Sequence, residues 1–451
     1  MKHQLPNNLK VSAMTFEVFK KKVGDYIEVT DFVANGSFAS LKENVQYLSN
    51  SSPEKFAVVV RTLDFNRNWT QDFVWVNESA FKFLKKSSLN EGDLVLCNVG
   101  SVGIVFEVPD LGIPMTLGPN AVLCRTKDPE EIRQRYLYYY FLSPTGQALL
   151  QELSGGSTVQ PKFNKTVLRN SEIEVPDLQH QDLAIRILGG IDSKITMNNA
   201  LSKTLEDITQ TIFKSWFIDF DPVKAKMTGA KPAGMDAATA ALFPDSMEES
   251  ELGLIPKGWE VRSLDEISEY LNGLAMQKFP VTDEDEQLPV IKIAQLRAGN
   301  TQGADVASGL LDSRYIIKDG DILFSWSGTL EVETWAGGPG ALNQHLFKVS
   351  GKTVPDWYSY LSTKGFLSFF REIASGKATT MGHIQRGHLS ESKLAIPNLE
   401  LLNRATEIIE PLISLKIKTL IESRNLAEIR DSLLPRLISG ELQIPEEMLA
   451  S

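Results

Sequence analysis

The sequence predicts an α+β protein of two repeated mixed α/β domains, each followed by a long helix, with the two helices pairing as an antiparallel coiled coil. Three observations predict this fold. The chain repeats itself at long range, and short apolar runs between turn residues fill the first part of each half. After Pro176 and after Pro397 the spacing of apolar residues changes from about 2 to about 3.6, which indicates the start of a helix.

The repeat is visible in residues that keep the same spacing in both halves. Residues 91–96 (EGDLVL), followed by Gly100, match residues 319–324 (DGDILF), followed by Gly328. A second set keeps its own constant spacing: Ser154 and Pro176 match Ser375 and Pro397. The same offset matches Ile187, Ile191, Leu205, Ile208, Ile212 and Phe217 to Ile408, Leu412, Leu426, Ile429, Leu433 and Ile438. Chance does not hold one register across so many positions, so both halves are predicted to share one fold.

The first part of each half carries the apolar runs that are typical of short β-strands. We predict strands at residues 57–60, 94–97 and 122–124, and at residues 289–293, 322–326 and 346–349. The domains are therefore expected at 1–176 and 255–397, with helical regions at 177–221 and 398–442. Residues 222–254, rich in Ala, Gly, Pro and acidic residues, are predicted to be a linker with one short helical turn.

Each helical region carries apolar residues mostly at steps of three and four. Each stripe extends over about 26 residues, or on the order of 40 Å, and must be buried against something. Either each helix covers its own domain, or the two helices pack on each other as the repeat suggests. Gly190 and Pro411 predict a break in each helix. The residues predicted to form the helix pair or a partner interface are Ile191, Leu205, Ile208, Ile212, Trp216, Leu412, Leu426, Ile429, Leu433 and Leu437.

Composition sets limits on the function. The chain has 451 residues, and its net charge of -11 counts against nucleic-acid binding unless basic residues are concentrated locally. The absence of any stretch of roughly 20 apolar residues predicts a cytoplasmic protein without a membrane partner. Cys97 and Cys124 are expected on neighbouring strands as reduced thiols.

Catalytic motifs are missing. Residues 350–353 (SGKT) resemble the end of a phosphate-binding loop, but Leu346 stands where that loop requires glycine. Neither a dinucleotide-binding glycine motif nor the Asn/Asp-Pro-Pro-Tyr/Phe motif of amino-methyltransferases occurs. His383 and His388 lie five residues apart, which is not the helical spacing of a zinc pair. The sequence therefore predicts no catalytic residue, metal site or cofactor site.

Two loops are instead suited to DNA binding. They combine basic, amide and hydroxyl side chains at equivalent places before a helix. The first contains Ser157, Thr158, Gln160, Lys162, Asn164 and Lys165; the second contains Lys377, Thr379, Thr380, His383, Gln385 and Arg386. Each residue could equally belong to an ordinary solvated loop. A second candidate set lies at the strand edges: Arg61, Arg67, Lys292, Ser325, Trp326, Asn343 and Gln344.

Nearly the whole chain resembles the specificity subunits of type I restriction-modification systems. The segments that carry the resemblance are residues 212–220 (IFKSWFIDF), 255–261 (IPKGWEV) and 433–442 (LLPRLISGEL), with 155–158 (GGST) and 320–323 (GDIL). The first 26 residues depart from the pattern because they contain no counterpart of the Gly-Trp-Glu at 258–260.

The resemblance implies a non-catalytic subunit with two target-recognition domains, each reading one half of a bipartite site in double-stranded DNA. It implies that the helices act as a spacer and as docking surfaces for two methyltransferase subunits, which perform adenine methylation, and that restriction/translocase subunits join for cleavage. S-adenosylmethionine, ATP and Mg are then expected only in the partners. The alternatives are a self-contained DNA methyltransferase or nuclease, and a scaffold that does not bind DNA, which only the acidic composition favours.

Overall fold

A computed structural model describes residues 17–70, 72–155, 161–282, 286–375 and 382–442. The chain divides into two compact units, the first formed by Met1–Ser193 with Glu428–Ser451 and the second by Lys194–Ala427. Each unit combines a globular part with segments of two long helices. Within the described residues, no helix has the length and apolar character that a membrane crossing requires.

The first unit is a mixed α/β structure. Its strands are β1 (Val18–Lys22), β2 (Ile27–Asp31), β3 (Ala57–Val60), β4 (Val74–Val76), β5 (Ser88–Leu89), β6 (Leu94–Cys97), β7 (Val105–Glu107), β8 (Met115–Leu117), β9 (Ala121–Thr126) and β10 (Glu172–Pro176). Its helices are α1 (Val23–Tyr26), α2 (Phe38–Asn44), α3 (Thr62–Asn66), α4 (Glu78–Phe83), α5 (Gln134–Leu142), α6 (Pro144–Leu153), α7 (Lys165–Asn170) and the start of α8 (Leu178–Phe213), with 3-10 turns at Phe32–Asn35 and Lys85–Ser87.

Two four-stranded sheets organise the first unit. One has the order β2-β9-β6-β7 and is antiparallel throughout; the other has the order β4-β3-β8-β5, in which β3 and β8 are parallel. Strands β1 and β10 form a separate antiparallel pair. All four residues of β3 and of β6 are buried, which explains why both strands are continuous apolar runs in the sequence.

The second unit repeats most of this element order. Its strands are β11 (Met247–Ser250), β12 (Gly253–Pro256), β13 (Glu260–Ser263), β14 (Ser268–Asn272), β15 (Gln287–Ile291), β16 (Val306–Ser308), β17 (Ile316–Ile317), β18 (Ile322–Ser325), β19 (Val332–Thr334), β20 (Gly340–Leu342), β21 (Leu346–Gly351) and β22 (Lys393–Ile396). Its helices are α9 (Asp221–Met227), α10 (Ala237–Ala241), α11 (Leu264–Ile267), α12 (Ile293–Ala298), α13 (Asp356–Gly365), α14 (Leu367–Ser375), α15 (Arg386–Glu391) and most of α16 (Leu399–Ile438), with a π-helical turn at Lys214–Ile218 and 3-10 turns at Met276–Lys278 and Ser313–Tyr315.

The strand orders confirm the predicted repeat. The second unit has a sheet of order β14-β21-β18-β19, a sheet of order β16-β15-β20-β17 with β15 and β20 parallel, and an antiparallel pair of β13 and β22. Each corresponds to an arrangement in the first unit. Two predicted strands extend too far: the strand predicted at 289–293 ends at Ile291, because Ile293 starts α12, and the strand predicted at 322–326 ends at Ser325. The strands predicted at 122–124 and 346–349 are longer than expected, at Ala121–Thr126 and Leu346–Gly351.

The start of the first unit differs from the start of the second in sequence but not in pairing. Strand β1 pairs with β10 just as β13 pairs with β22. Trp259, which precedes β13, is buried against Phe217 and Phe220, whereas Val18 and Phe19 of β1 are exposed.

The two cysteines lie on adjacent strands, as predicted. Cys97 of β6 faces Ala121 and Cys124 of β9 faces Leu94, so the two side chains are not opposite each other. Both thiols are free and buried. Burial raises the pKa of the Cys124 thiol to about 12, which makes it an unreactive core residue.

The predicted helix breaks are wrong. Helix α8 continues for 36 residues through Gly190, and α16 continues for 40 residues through Pro411. Both residues lie on exposed positions, where water can replace the backbone hydrogen bond that proline removes. Ile409 and Ile413 on either side of Pro411 are buried, and this packing holds the helix together.

Contacts between α8 and α16 run in opposite directions along the two helices. In the first unit, the ring of His180 contacts the carbonyl of Leu437, and Arg430 donates to Asp192 at 3.0 Å. In the second unit, Asn198 donates to Glu422 at 2.8 Å, and Lys416 pairs with Glu206. Increasing numbers in α8 meet decreasing numbers in α16, so the helices pair antiparallel, as the sequence predicts.

The seam between the helices is more polar than the apolar stripe predicted. Among the predicted helix-pair residues, Leu205, Trp216 and Leu437 are buried, and Ile191, Ile212, Leu412, Leu426 and Leu433 are half-buried. Ile208 and Ile429 are exposed at 42% and 48%. Buried positions in the second unit's part of the seam are instead taken by Asn198, Ser202, Thr209, Lys416, Thr419 and Ser423. The apolar spacing identified the helices but not all of their contact face.

The segment 222–254 is more ordered than the linker with one short helical turn that the sequence predicts. It contains α9, α10, and a hairpin formed by β11 and part of β12. Val223 and Phe243 are buried, and the ammonium group of Lys226 donates to the carbonyl of Ala240 at 3.2 Å. The sequence did not predict these helices and this hairpin, because the segment consists mainly of small and acidic residues and its few apolar side chains are widely separated.

Leu437 and Ile429 of α16 provide a matched pair for testing the seam in the first unit. We expect Leu437→Ala to reduce the free energy of unfolding by about 2–5 kcal/mol, because it empties a buried site. Ile429→Ala should change it by less than about 0.5 kcal/mol, because the side chain is largely exposed. Urea denaturation followed by circular dichroism measures both; equal losses would contradict this description of the seam.

Candidate nucleic-acid interface

In the second unit, the predicted loop and the predicted strand edge lie side by side. Residues 382–384 run antiparallel to the residues that follow β18, with Ser327 and His383 as bridge partners. The amide of Gly328 donates to the carbonyl of Gly382 at 2.9 Å, and the amide of Ile384 donates to the carbonyl of Trp326 at 3.0 Å. Trp326 of the strand-edge set and His383 of the loop set therefore lie next to each other in this unit.

The first unit repeats the same backbone arrangement. Val99 and Lys162 are bridge partners, and the amide of Gly100 donates to the carbonyl of Pro161 at 2.9 Å. The amide of Phe163 donates to the carbonyl of Asn98 at 3.0 Å. Each module thus joins the end of a central strand to the loop before a short helix by equivalent hydrogen bonds.

Aromatic and histidine side chains surround Trp326. Its ring centre lies 5.8 Å from that of His345 and 6.5 Å from that of His383, and its indole N–H donates to the side-chain oxygen of Asn272 at 3.0 Å. We call Asn272, Trp326, His345 and His383 the tryptophan cluster. Stacking rings and amides are suited to contact with bases and with the sugar-phosphate backbone.

Sequence reasoning missed Asn272 and His345. Asn272 ends β14 and His345 precedes β21, so both lie beside strands and outside the two loops that the sequence singled out. The hydroxyl of Ser327 lies 3.1 Å from the Nδ1 atom of His345. A signal for His345 was its position directly after Asn343 and Gln344, which the strand-edge set included.

Ser325 and Asn343 are buried and have internal roles. The hydroxyl of Ser325 donates to the carbonyl of Thr329 at 2.6 Å and accepts from the amide of Glu331 at 2.8 Å. The side-chain oxygen of Asn343 accepts from the amide of His345 at 3.3 Å. Their burial argues against the predicted direct contact with DNA: both residues hold turns, whereas the neighbouring Gln344 is half-exposed.

Arg386 is exposed and anchored at the same time. One terminal nitrogen donates to the carbonyl of Tyr270 at 3.1 Å, and the guanidinium carbon lies 5.6 Å from the ring centre of Phe347. Gln385 is also exposed and precedes α15. Its backbone amide donates to the Nδ1 atom of His388 at 3.1 Å. A guanidinium held in this way loses little freedom on binding a ligand.

In the first unit, the predicted loop residues divide into exposed and internally used ones. Lys162 is exposed. The side-chain oxygen of Asn164 accepts from the amides of Thr166 and Val167 at 2.9 and 3.0 Å, so it caps α7. Lys165 is half-buried, and its ammonium group lies 2.7 Å from a carboxylate oxygen of Asp31.

The basic residues of the strand-edge set also have acidic partners. Arg61 donates to both carboxylate oxygens of Asp64, at 2.7 and 3.1 Å, and Lys292 pairs with Asp305. Arg67 is exposed and lies 3.9 Å from Asp72. Arg61 and Lys292 occupy equivalent places, directly before α3 and α12. These acidic partners reduce the positive charge that Arg61 and Lys292 present to solvent.

The remaining predicted loop residues lie outside the described residues: Ser157, Thr158, Gln160, Lys377, Thr379 and Thr380. Across the described part of the chain, no group of three or more His, Cys, Asp or Glu side chains could hold a metal ion.

Asn164 allows a test that separates helix capping from ligand contact. Asn164→Ala should destabilise the protein by about 0.5–2 kcal/mol because α7 loses its cap. Asn164→Asp should keep the stability, since a carboxylate also accepts from the first amides of a helix. Thermal denaturation measures both variants. Equal destabilisation by Ala and Asp would contradict the capping role.

Comparisons with known proteins agree with this repeated architecture. The family model of the type I restriction modification DNA specificity domain matches residues 21–207 and 256–430. The HindI type I restriction enzyme specificity subunit of Haemophilus influenzae is 25% identical over 344 residues, which cover 65% of this chain and 73% of the relative. The MjaIX specificity subunit of Methanocaldococcus jannaschii is 26% identical over 385 residues, which cover 82% of each chain.

Among known structures, a type I restriction-modification S subunit from M. genitalium is similar with a TM-score of 0.48 and 15% sequence identity, covering 96% of this chain and 98% of that one. The family model, which accounts for most of both halves, decides the assignment. This chain belongs to the family defined by the type I restriction modification DNA specificity domain, and it carries that domain twice.

Proposed function

We propose that this chain reads a bipartite site in double-stranded DNA, one half-site for each target-recognition domain. It directs adenine methylation or cleavage by partner subunits and performs no chemistry itself. The observation that carries this proposal is the equivalent joining of loop and strand end in both units, at Val99 and Lys162 and at Ser327 and His383. Two similar surfaces in one chain suit two half-sites.

The second unit supplies the more complete surface. The tryptophan cluster offers ring faces and an amide, and Arg386 beside it offers a guanidinium that can donate two parallel hydrogen bonds to guanine. In the first unit, Lys162 supplies an exposed positive charge at the equivalent place. The net charge of -11 is compatible with DNA binding because the local charge at a contact matters more than the total.

We further propose that two methyltransferase subunits dock on the helices and that restriction/translocase subunits join them. Met197, Leu201 and Ile208 support this, because these apolar side chains of α8 are exposed in the second unit at 65%, 41% and 42%. Their spacing places them along one side of the helix, as a packing helix requires. S-adenosylmethionine, ATP and Mg then act in the partner subunits, and the assembly works in the cytoplasm.

The test of DNA reading uses Arg386→Ala in the complex of this chain with its methyltransferase partners. If Arg386 reads guanine, the variant should lose about 1–3 kcal/mol of binding free energy and accept other bases at one position of the second half-site. Fluorescence anisotropy with a panel of duplexes, each altered at one base pair, measures this. The matched variant Lys162→Ala should leave the base preferences of the second half-site unchanged. Unaltered affinity and base preference for both variants would contradict the assignment of these surfaces.

The absence of catalysis is tested on the purified chain alone. With DNA and a methyl donor carrying a radioactive label, we expect no transfer of label until the methyltransferase partner is added. Transfer by the chain alone would contradict the proposal and favour a self-contained methyltransferase. DNA cleavage by the chain alone with Mg and ATP would favour a nuclease in the same way.

A further inference from the structure

A buried ionic network joins the module to both long helices in the second unit. The hydroxyl of Tyr360 in α13 lies 2.8 and 2.9 Å from the two carboxylate oxygens of Glu206 in α8. Lys416 of α16 pairs with the same carboxylate, and Lys364 lies 2.8 Å from it and 3.0 Å from Glu333 of β19. We call these five residues the second-unit ion cluster.

The first unit contains a corresponding network. The hydroxyl of Tyr139 in α5 donates to Asp192 of α8 at 2.6 Å, and Arg430 of α16 donates to the other oxygen of Asp192 at 3.0 Å. Arg135 lies 3.4 Å from Asp192 and also pairs with Glu107 of β7. We call these five residues the first-unit ion cluster.

The tyrosines are equivalent in the repeat, but the helix charges are not. Tyr139 precedes Ser154 by as many residues as Tyr360 precedes Ser375, so both occupy one position of the repeat. In both clusters α8 supplies the carboxylate and α16 supplies the cation, although only α8 follows the first module and only α16 follows the second. The arrangement therefore does not follow from copying one half of the sequence.

The repeat positions that correspond to the charged helix residues are uncharged. Ala427 corresponds to Glu206, and Ile195 to Lys416; Ile413 corresponds to Asp192, and Thr209 to Arg430. Each cluster consequently needs both helices, since neither helix carries the acid and the base that one cluster requires.

The charged Glu206 carboxylate and the protonated Tyr360 hydroxyl hold the second-unit ion cluster in one arrangement. Burial alone would raise the pKa of Glu206, but attraction by Lys416 and Lys364 lowers it to about 2, so the carboxylate is charged. Burial, followed by the nearby charge of Glu333, raises the pKa of Tyr360 well above its usual value, so its hydroxyl remains a donor. Buried charges gain little net stability over apolar packing, but they are strongly destabilised when a partner moves away.

We propose that Tyr360, Glu206 and Lys416, and equally Tyr139, Asp192 and Arg430, are positioning residues that hold each module in one orientation on the helix segments of its own unit. By this means they determine which separation of the two DNA half-sites the protein accepts. This inference rests on the proposed reading of a bipartite site. A module held less firmly tolerates half-sites that are displaced along the DNA.

The test uses Tyr360→Phe in the complex with the methyltransferase partners. Duplexes carry both half-sites at the preferred separation or at one base pair more or less, and fluorescence anisotropy gives the affinities. We expect the preference for the correct separation to fall roughly tenfold, since a hydrogen bond to a charged group is lost. Tyr139→Phe should have the same effect through the first unit, which provides a second variant if one fails to fold.

Tyr358→Phe is the matched control. Tyr358 is buried in the same helix, but its hydroxyl donates to the carbonyl of Ala395 at 3.3 Å and belongs to neither cluster. It should keep the wild-type ratio of affinities even if its melting temperature falls. Lys416→Met should lower the ratio and Lys416→Arg should restore it, because arginine retains the charge.

Three results are decisive. Folded Tyr360→Phe and Tyr139→Phe complexes with the wild-type ratio of affinities would overturn the positioning role. A drop in the ratio for Tyr358→Phe equal to that for Tyr360→Phe would assign the effect to general loosening of the module and would also overturn it. A wild-type complex that prefers no pair of half-sites would instead refute the proposed function itself.

Discussion

The antiparallel pairing of α8 and α16 is the constraint on which both units depend. In the first unit, Leu437 from the end of α16 packs with Leu183 of α8 and Tyr136 of α5 in one buried cluster. In the second unit, Phe213 from the end of α8 packs with Ile409 of α16. Each unit completes its core with residues from both halves of the sequence, so neither half contains the whole core of its unit.

Apolar and polar residues of the two helices have different roles in this pairing. Apolar side chains complete the cores near the helix ends. In the second unit, the seam between α8 and α16 instead buries Asn198, Thr209 and Lys416. A polar seam adds less stability than an apolar one, but it permits fewer alternative registers, because a displaced polar group would lose its partner. Apolar residues such as Ile208 remain exposed in this unit.

The globular modules place variable side chains on a constant framework. Backbone hydrogen bonds join the loop to the strand end in both units, yet the side chains there differ: Lys162 in one module stands where His383 stands in the other. Ser325 and Asn343 support the turns of the second module from below the surface. If these surfaces read DNA as proposed, such an arrangement allows base preference to change with a few exposed residues while the fold stays the same.

Sequence by itself determined the repeat, the strands at 57–60 and 94–97, and helices that begin soon after Pro176 and Pro397. These features depend on local spacing of apolar residues, and a linear pattern records such spacing directly. It also suggested the loops and strand edges of the candidate site, because basic and amide side chains concentrate in loops at matching places.

Tertiary structure decided which of those residues are available. Asn164 and Lys165 satisfy partners within the first unit, and Asn272 and His345 join Trp326 from distant parts of the second half. Tertiary packing also kept α16 continuous through Pro411, against its local preference. All of these outcomes depend on contacts between residues far apart in the chain, and a pattern of neighbours along the sequence carries no information on such contacts.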